Sequence, residues 1–507
     1  MTRKTRLCLA VSLALSATAV SAQDWHAKAA PSVQLRAERG ETVDILIELR
    51  DAATLDYLAP GEFSDRVARA GQQLEAVADR SQRGLRAALD ARGIEYRAFW
   101  VANAIAARVS PSDLAWIAAR PEVAHIASDA PRQVSLPPLE SLASQAKAIQ
   151  AVQWNVTRVR APEVWAAGAN GEGVVVGDQD TGFQWDHPAL KSKYRGWNGT
   201  SANHDYNWYD AIHGLLGSGT NPCGVDAPAP CADASHGTHT MGTILGDDGA
   251  GNQVGMAPGA KWIGCRNMER GAGRPSTYIE CFEWFMAPRP VGSLVGGDPS
   301  RAPHIISNSW GCPVGPPPNG EDCVVDSIRQ TIENVRNAGI LVVVAAGNSG
   351  SSCSSVTDPP AIYAASFTIG ATTSSDAIAS YSGRGPVTVD GSNRLKPDIT
   401  APGSGIVSSV PGGGYASSSG TSMATPAVAG VAALLMSANP ALKGNPAAVE
   451  QLLRQTAIPT TSAQNCGTFP GASIPNAVFG YGRIDAFAAY TATMATFEQP
   501  LFLNGFE

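Results

Sequence analysis

Beyond its first 22 residues the sequence has no apolar run longer than Leu7–Val20, so no membrane anchor is expected. It has no basic excess either. Lys and Arg number 37 against 44 Asp and Glu, the formal net charge is −7, and the pI is near 5.7. A chain without a basic face is not expected to have nucleic acid as its main partner. No tandem repeat is present, which excludes solenoids and propellers. The HExxH arrangement is missing, so a zinc hydrolase would have to be built from Asp233, His236 and His239, three residues apart. Gly171, Gly173 and Gly177 precede a strand instead of following one, and their spacing does not fit a dinucleotide fingerprint. Ser144-Gln145-Ala146-Lys147 lacks the Ser-Asp-Asn and Lys-Thr-Gly companions of serine β-lactamase-like enzymes and reads as linker or a short helix.

What is present describes an ordinary globular protein of more than one unit: 507 residues, 44% hydrophobic and 16% charged. Arg3, Lys4 and Arg6 precede the apolar run, and Val20-Ser21-Ala22 offers small residues for cleavage, so residues 1–22 read as a signal peptide and the protein as secreted. Cysteine usage fits export. Cys8 leaves with the signal, and the other eight cysteines lie between Cys223 and Cys466. Short separations favour the pairs Cys223–Cys231, Cys265–Cys281 and Cys312–Cys323, leaving Cys353 and Cys466 to close a long loop, although eight cysteines allow about 105 pairings.

Residues 41–129 read as an α+β unit. Val43–Leu49 alternates as a strand, residues 63–92 have helical spacing, and Gly93 stops the helix. Residues 94–100 and 104–109 look like strands, Ser110 caps a short helix, and residues 123–127 supply a last strand. The order β-α-β-β-α-β is ferredoxin-like. A Pro-, Ser- and Gln-rich linker follows. Beyond Trp154, short β-branched runs bounded by Gly, Asn and Ser alternate with helical patterns, which indicates an α/β unit with a parallel sheet covered by helices on both faces. In such sheets ligands bind beyond the carboxyl ends of the strands. Residues 491–507 lack a clear period and read as a C-terminal tail.

The chemistry-bearing residues stand at such places. Asp180-Thr181-Gly182 ends the first strand of that unit, Ser235-His236-Gly237-Thr238-His239 opens a helix, and VVVAAGN ends a buried strand on the side-chain amide of Asn348. In SSSGTSMATP, at 417–426, Ser422 lies at a helix start, where the positive backbone field and free N–H groups suit a nucleophile whose product is an oxyanion. Each stretch alone has a structural explanation: a capped turn, a core histidine, an ordinary helix cap. Together they supply a nucleophile, a base, an acid that orients the base, and an oxyanion donor, the roles of acyl transfer. Asp178 and His239 compete for two of these roles on position alone.

The sequence resembles the subtilisin-like serine peptidases, and among them the bacillopeptidase F-like group. The matching stretches are DTGFQWDHPAL at 180–190, SHGTHTMGTILG at 235–246, VGMAPGAKWIGCRNM at 254–268, ISNSWG at 306–311, VVAAGNSG at 343–350, YSGRGP at 381–386, KPDITAPG at 396–403 and SGTSMATPAVAG at 419–430. Their joint occurrence in family order is what makes the resemblance specific. It implies a three-layer fold and a serine endopeptidase. Ser422 would be the nucleophile, His236 its base, Asp180 the residue orienting His236, and Asn348 the oxyanion donor, with Asp180 preferred to Asp178 and His236 to His239. Ser309, Trp310 and Gly311 on one segment, with Ala345, Ala346 and Gly347 on the facing one, would bind extended substrate backbone.

The resemblance also divides the chain: 1–22 signal peptide, 23–132 propeptide inhibitor-like domain, 133–151 linker with the activation cleavage, 152–490 peptidase domain, 491–507 tail. Its expected partners are protein or peptide substrates and its own propeptide, and a monomer is expected. The chemistry requires no cofactor. Family members that bind calcium carry an acid where this chain has Ala189; the loop Asp247–Asn252 offers oxygen ligands but reads as a solvated turn. The sequence places no acidic residue in the substrate pockets, so the expected preference beside the cut is apolar or aromatic.

Overall fold

The computed structural model describes residues 25–55, 61–140, 151–217, 219–314, 323 and 325–498. The expected signal peptide, the Ser144–Lys147 segment and the end of the expected tail lie outside them.

The leading unit forms as its sequence pattern predicts. Its strands Val43–Leu49, Tyr96–Phe99, Ala104–Val109 and Val123–Ser128 make an antiparallel sheet in which Val43–Leu49 lies between the third and fourth strands and Tyr96–Phe99 forms an edge. Helices Phe63–Arg92 and Pro111–Ala118 complete the ferredoxin-like order. The long helix ends because Gly93 adopts φ 66°, the left-handed conformation that suits glycine at a helix end. Ser110 starts the short helix, its hydroxyl accepting from the Asp113 N–H at 3.2 Å.

The first strand departs from simple alternation in one informative place. Ile45 and Ile47 bury on one face with Leu85, Leu89 and Ile117, whereas Leu46 buries on the other with Phe99, Ala106, Tyr278 and Phe282. That second face is dry because it docks on helices Pro275–Met286 and Arg329–Asn337 of the large unit. Polar contacts fix the docking. The Asp129 carboxylate accepts from the Ser276 N–H at 2.8 Å and its hydroxyl at 2.7 Å, at the start of the first of those helices. Glu283 accepts from the backbone N–H groups of Trp100 at 2.6 Å and Val101 at 3.1 Å.

The large unit is built on a seven-stranded sheet in the order Ile399–Pro402, Phe367–Thr372, Leu341–Ala345, Ile305–Asn308, Val175–Asp180, Lys261–Arg266, Trp208–Asp210, with every pairing parallel. Helices cover both faces, as the continuous apolar runs require. The helix Thr421–Ala438 is long and apolar enough to cross a bilayer, but it is spent inside the core, where it packs on the helix Ser235–Leu245 and on the sheet. Four disulfides join Cys223–Cys231, Cys265–Cys281, Cys312–Cys323 and Cys353–Cys466, the pairs favoured by spacing.

The last described helix, Ala486–Glu498, runs through position 490; Ala486 and Ala489 bury in the main core, and Thr493 is buried as well. Alanine-rich sequence carries little periodic contrast, which hides such a helix. The expected linker begins as ordered chain: Arg132–Gln133 pairs with Ala272–Gly273, and Leu139–Glu140 pairs with Ser417–Ser418.

Glu283→Ala leaves the Trp100 and Val101 N–H groups without their acceptor at the docked interface, which costs about 2–3 kcal/mol. Thermal unfolding of the full-length chain checks this, with a lower midpoint expected for the variant.

Candidate active site

Asp180 is the last residue of its strand and has no exposed surface. The Thr181 N–H donates to its Oδ1 at 2.6 Å, and the His236 Nδ1 lies 2.8 Å from both carboxylate oxygens. A short chain reversal makes this approach possible. Gly182 has φ 85°, and a Cβ there would sit 1.8 Å from the Cys231 carbonyl oxygen. His236 is the second residue of its helix and is 4% exposed; its Nε2 has no hydrogen-bond partner among the described residues.

Ser422 is the second residue of the helix Thr421–Ala438. Its hydroxyl donates to the Ser309 carbonyl at 3.0 Å, and the Ser309 hydroxyl returns a bond to the Ser422 carbonyl at 3.0 Å. The serine is therefore turned toward Ser309 and not bonded to His236. Catalytic hydrogen bonds often form only when substrate is in place. Gly420 lets chain pass close by: a Cβ there would meet Pro137 at 2.9 Å and the Asn348 Nδ2 at 3.4 Å. The Asn348 Oδ1 accepts from the Thr421 N–H at 2.9 Å and its hydroxyl at 3.0 Å. Held by its oxygen, the amide keeps its Nδ2 donors for the cleft.

The rivals for these roles are placed elsewhere. Asp178 is fully buried and accepts from the Thr240 hydroxyl at 2.7 Å; burial, reinforced by the neighbouring Asp180 charge, holds its pKa well above the usual carboxylate range. The His239 Nε2 donates to the carbonyls of Ile406 at 3.0 Å and Ala416 at 3.2 Å, and burial, with His236 adding to it, pushes its pKa down to about 4. Asp233 turns to Arg266 at 3.4 Å, so the three candidate zinc ligands do not converge.

A cleft of about 530 Å³ is lined by Ser309, Trp310, Gly311, Ala345, Ala346, Gly347, Asn348 and Ser422. The Trp310 contribution is backbone, since its indole is buried and stacks on Tyr278 with ring centroids 4.0 Å apart. Residues 133–138 also line the cleft, and Leu136–Leu139 adjoin His236 in the next cavity. The upstream chain thus crosses the site, held at one end by the Val134 N–H on the Gly271 carbonyl at 2.8 Å and at the other by Leu139–Glu140. Two features were missed by sequence reasoning: the passage of residues 133–138 through the cleft, and Asp358 in the cleft lining. No local motif announces either one.

The loop Asp247–Asn252 satisfies much of its own polarity. The Asp248 Oδ1 accepts from the Ala250 N–H at 2.8 Å and the Asn252 N–H at 3.1 Å, and the Tyr415 hydroxyl donates to its Oδ2 at 3.1 Å.

The sequence profile of the subtilase family matches residues 171–482, and the chain belongs to that family. It is 33% identical to Bacillopeptidase F of Bacillus subtilis (strain 168) over 505 residues, covering 93% of this chain and 33% of that protein. It is 30% identical to Subtilisin of Bacillus pumilus over 293 residues, 57% of this chain and 86% of the relative. It is 32% identical to an Extracellular protease of Xanthomonas campestris pv. campestris over 352 residues, 64% of this chain and 52% of the relative. The chain thus spans about a third of the length of Bacillopeptidase F.

The contrast between the two strand acids is testable. Asp180→Asn, which sets the wrong imidazole tautomer, should lower kcat for a peptide substrate by about 10⁴. Asp178→Asn replaces a buried carboxyl that bonds Thr240 and not His236 with a near-isostere, and should change it less than about tenfold. Steady-state hydrolysis by both variants, with circular dichroism to verify folding, checks the pair.

Proposed function

We propose that the chain is the exported precursor of a serine endopeptidase that hydrolyses peptide bonds in proteins and removes its own leading unit. The observation that carries the reading is the buried Asp180–His236 contact at 2.8 Å beside a helix-start serine, in a cleft crossed by residues 133–138 of the same chain. The basic, apolar and small-residue order of residues 1–22, the paired cysteines and the similarity to the Xanthomonas Extracellular protease support export.

In this reading a substrate takes the place of the crossing strand. Ser422 turns from Ser309 to His236, and its oxygen attacks the peptide carbonyl while its proton passes to the His236 Nε2. Asp180 stabilises the imidazolium through Nδ1–H. The new oxyanion is met by the Asn348 Nδ2 and the Ser422 N–H. Collapse expels the amine, which takes the proton from His236, and leaves an acyl ester on Ser422. Water then attacks the ester, again giving its proton to His236, and the acid product leaves as the Ser422 hydroxyl is restored. This chemistry calls on no metal or cofactor, and a monomer suffices because one chain carries every group.

The leading unit acts as an intramolecular inhibitor. Its docked sheet and the strand over Ser422 block the cleft until the chain is cut between Ala127 and Trp154. A serine-directed organophosphonate should label the processed protein at Ser422, located by peptide mass mapping. Ser422→Ala should accumulate uncut precursor on denaturing gels. Asn348→Ala should fold and turn over slowly, by a factor of about 100 to 1,000, the scale known for such a donor in subtilisin. An unlabelled Ser422 in folded, processed protein would remove the basis of the reading.

A further inference from the structure

We propose that Asp358 makes the cavity beside Ser422 a receptor for a cationic side chain, so that the enzyme cuts after lysine or arginine. The inference rests on the serine-peptidase reading of the same cleft and names its substrate class, in place of the apolar or aromatic preference expected from sequence.

The cavity lies on the acyl side of the nucleophile. Its lining includes the segments Ser309–Gly311 and Ala345–Gly347 together with Asn348, whereas the strand leaving the site is gripped further on, at Ser417–Ser418. A side chain just before the cut therefore points into it. Asp358 is the one charged residue among the described residues that line this space. Gly311 makes room for the acid: a Cβ at 311 would sit 3.3 Å from the Asp358 Cβ and 3.5 Å from its Oδ2. The carboxylate thus lies directly against the segment expected to hold substrate backbone.

The acid is incompletely compensated. The Thr357 hydroxyl donates to its Oδ1 at 2.9 Å, and the Val314 backbone adds a hydrogen bond. No lysine or arginine among the described residues forms an ion pair with it. Burial raises its pKa, the expected response of a carboxylate taken from water without a countercharge. A cation entering the cavity supplies that charge. The neighbouring walls include Ala346 and Ala361, small apolar surfaces that suit the alkyl stem of lysine or arginine. The crossing strand offers no cation, since residues 133–138 are Gln, Val, Ser, Leu, Pro and Pro.

The test uses enzyme processed from the full-length chain and peptides that differ only in the residue before the cut: Lys, Arg, Leu or Phe. The expected kcat/KM is about tenfold or more higher for Lys and Arg than for Leu and Phe. Asp358→Asn should bring the ratio to near unity or below while Ser422 still reacts with the phosphonate. Benzamidine, a small cation, should compete with substrate in the wild type and about tenfold more weakly in the variant. A wild-type enzyme that prefers Leu or Phe, or a ratio unmoved by Asp358→Asn, overturns the inference and leaves the peptidase reading intact. Absence of both labelling and cleavage removes the two together. Should Asp358→Asn fail to fold, the wild-type ratio and benzamidine competition decide.

Discussion

An imidazole and a carboxylate meeting 2.8 Å apart, both removed from water, is the contact on which the rest of the site depends. Burying two such groups is costly unless they pair and their remaining atoms are satisfied. The fold meets that condition for the carboxylate from three directions, and leaves the His236 Nε2 without a partner among the described residues. The strand end fixes Asp180, the reversal at Gly182 brings the His236 helix against it, and the Thr181 N–H donates to the carboxylate. Asp178, two residues back on the same strand, is enclosed and bonded to the Thr240 hydroxyl, and burial with the neighbouring Asp180 charge raises its pKa.

The same economy governs the serine. Its helix is the apolar axis of the core, so its start is pinned by packing and not by surface contacts. Asn348 closes the first N–H of that helix with its amide oxygen, which leaves the amide nitrogen directed at the cleft. Rigid elements therefore present the mobile group. In the proposed reaction the one side chain that must move is Ser422, whose hydroxyl is parked on Ser309 while the upstream chain crosses the site. Docking of the leading unit supplies that chain, and its grip rests on buried acceptors such as Asp129 and Glu283, which take backbone N–H groups from across the interface.

Much of this was legible in the sequence, for physical reasons. Motifs at strand ends and helix starts, such as Asp180-Thr181-Gly182 and Gly420-Thr421-Ser422, announce themselves because chain reversal and close approach demand glycine beside the reactive group. The ferredoxin-like order, Gly93 as a helix stop and Ser110 as a cap follow from local chemistry, and spacing favoured the cysteine pairs. What escaped was non-local. Leu46 disturbs the alternation of its strand only because another unit covers it. Trp310 stands in a segment expected to bind substrate, yet its ring belongs to the core beside Tyr278. Asp358 reaches the cleft across a fold in which Gly311 leaves space for it, and no pattern in the sequence links those two positions.

The central claim is that Asp180, His236, Asn348 and Ser422 act on one carbonyl. It is tested most directly by the crystal structure of the processed enzyme carrying an organophosphonate on Ser422. The account predicts the His236 Nε2 within about 3.2 Å of the Ser422 Oγ, the Asp180 contact intact, and the phosphonyl oxygen between the Asn348 Nδ2 and the Ser422 N–H. An adduct with His236 turned away from Ser422, or with that oxygen facing solvent, would contradict it.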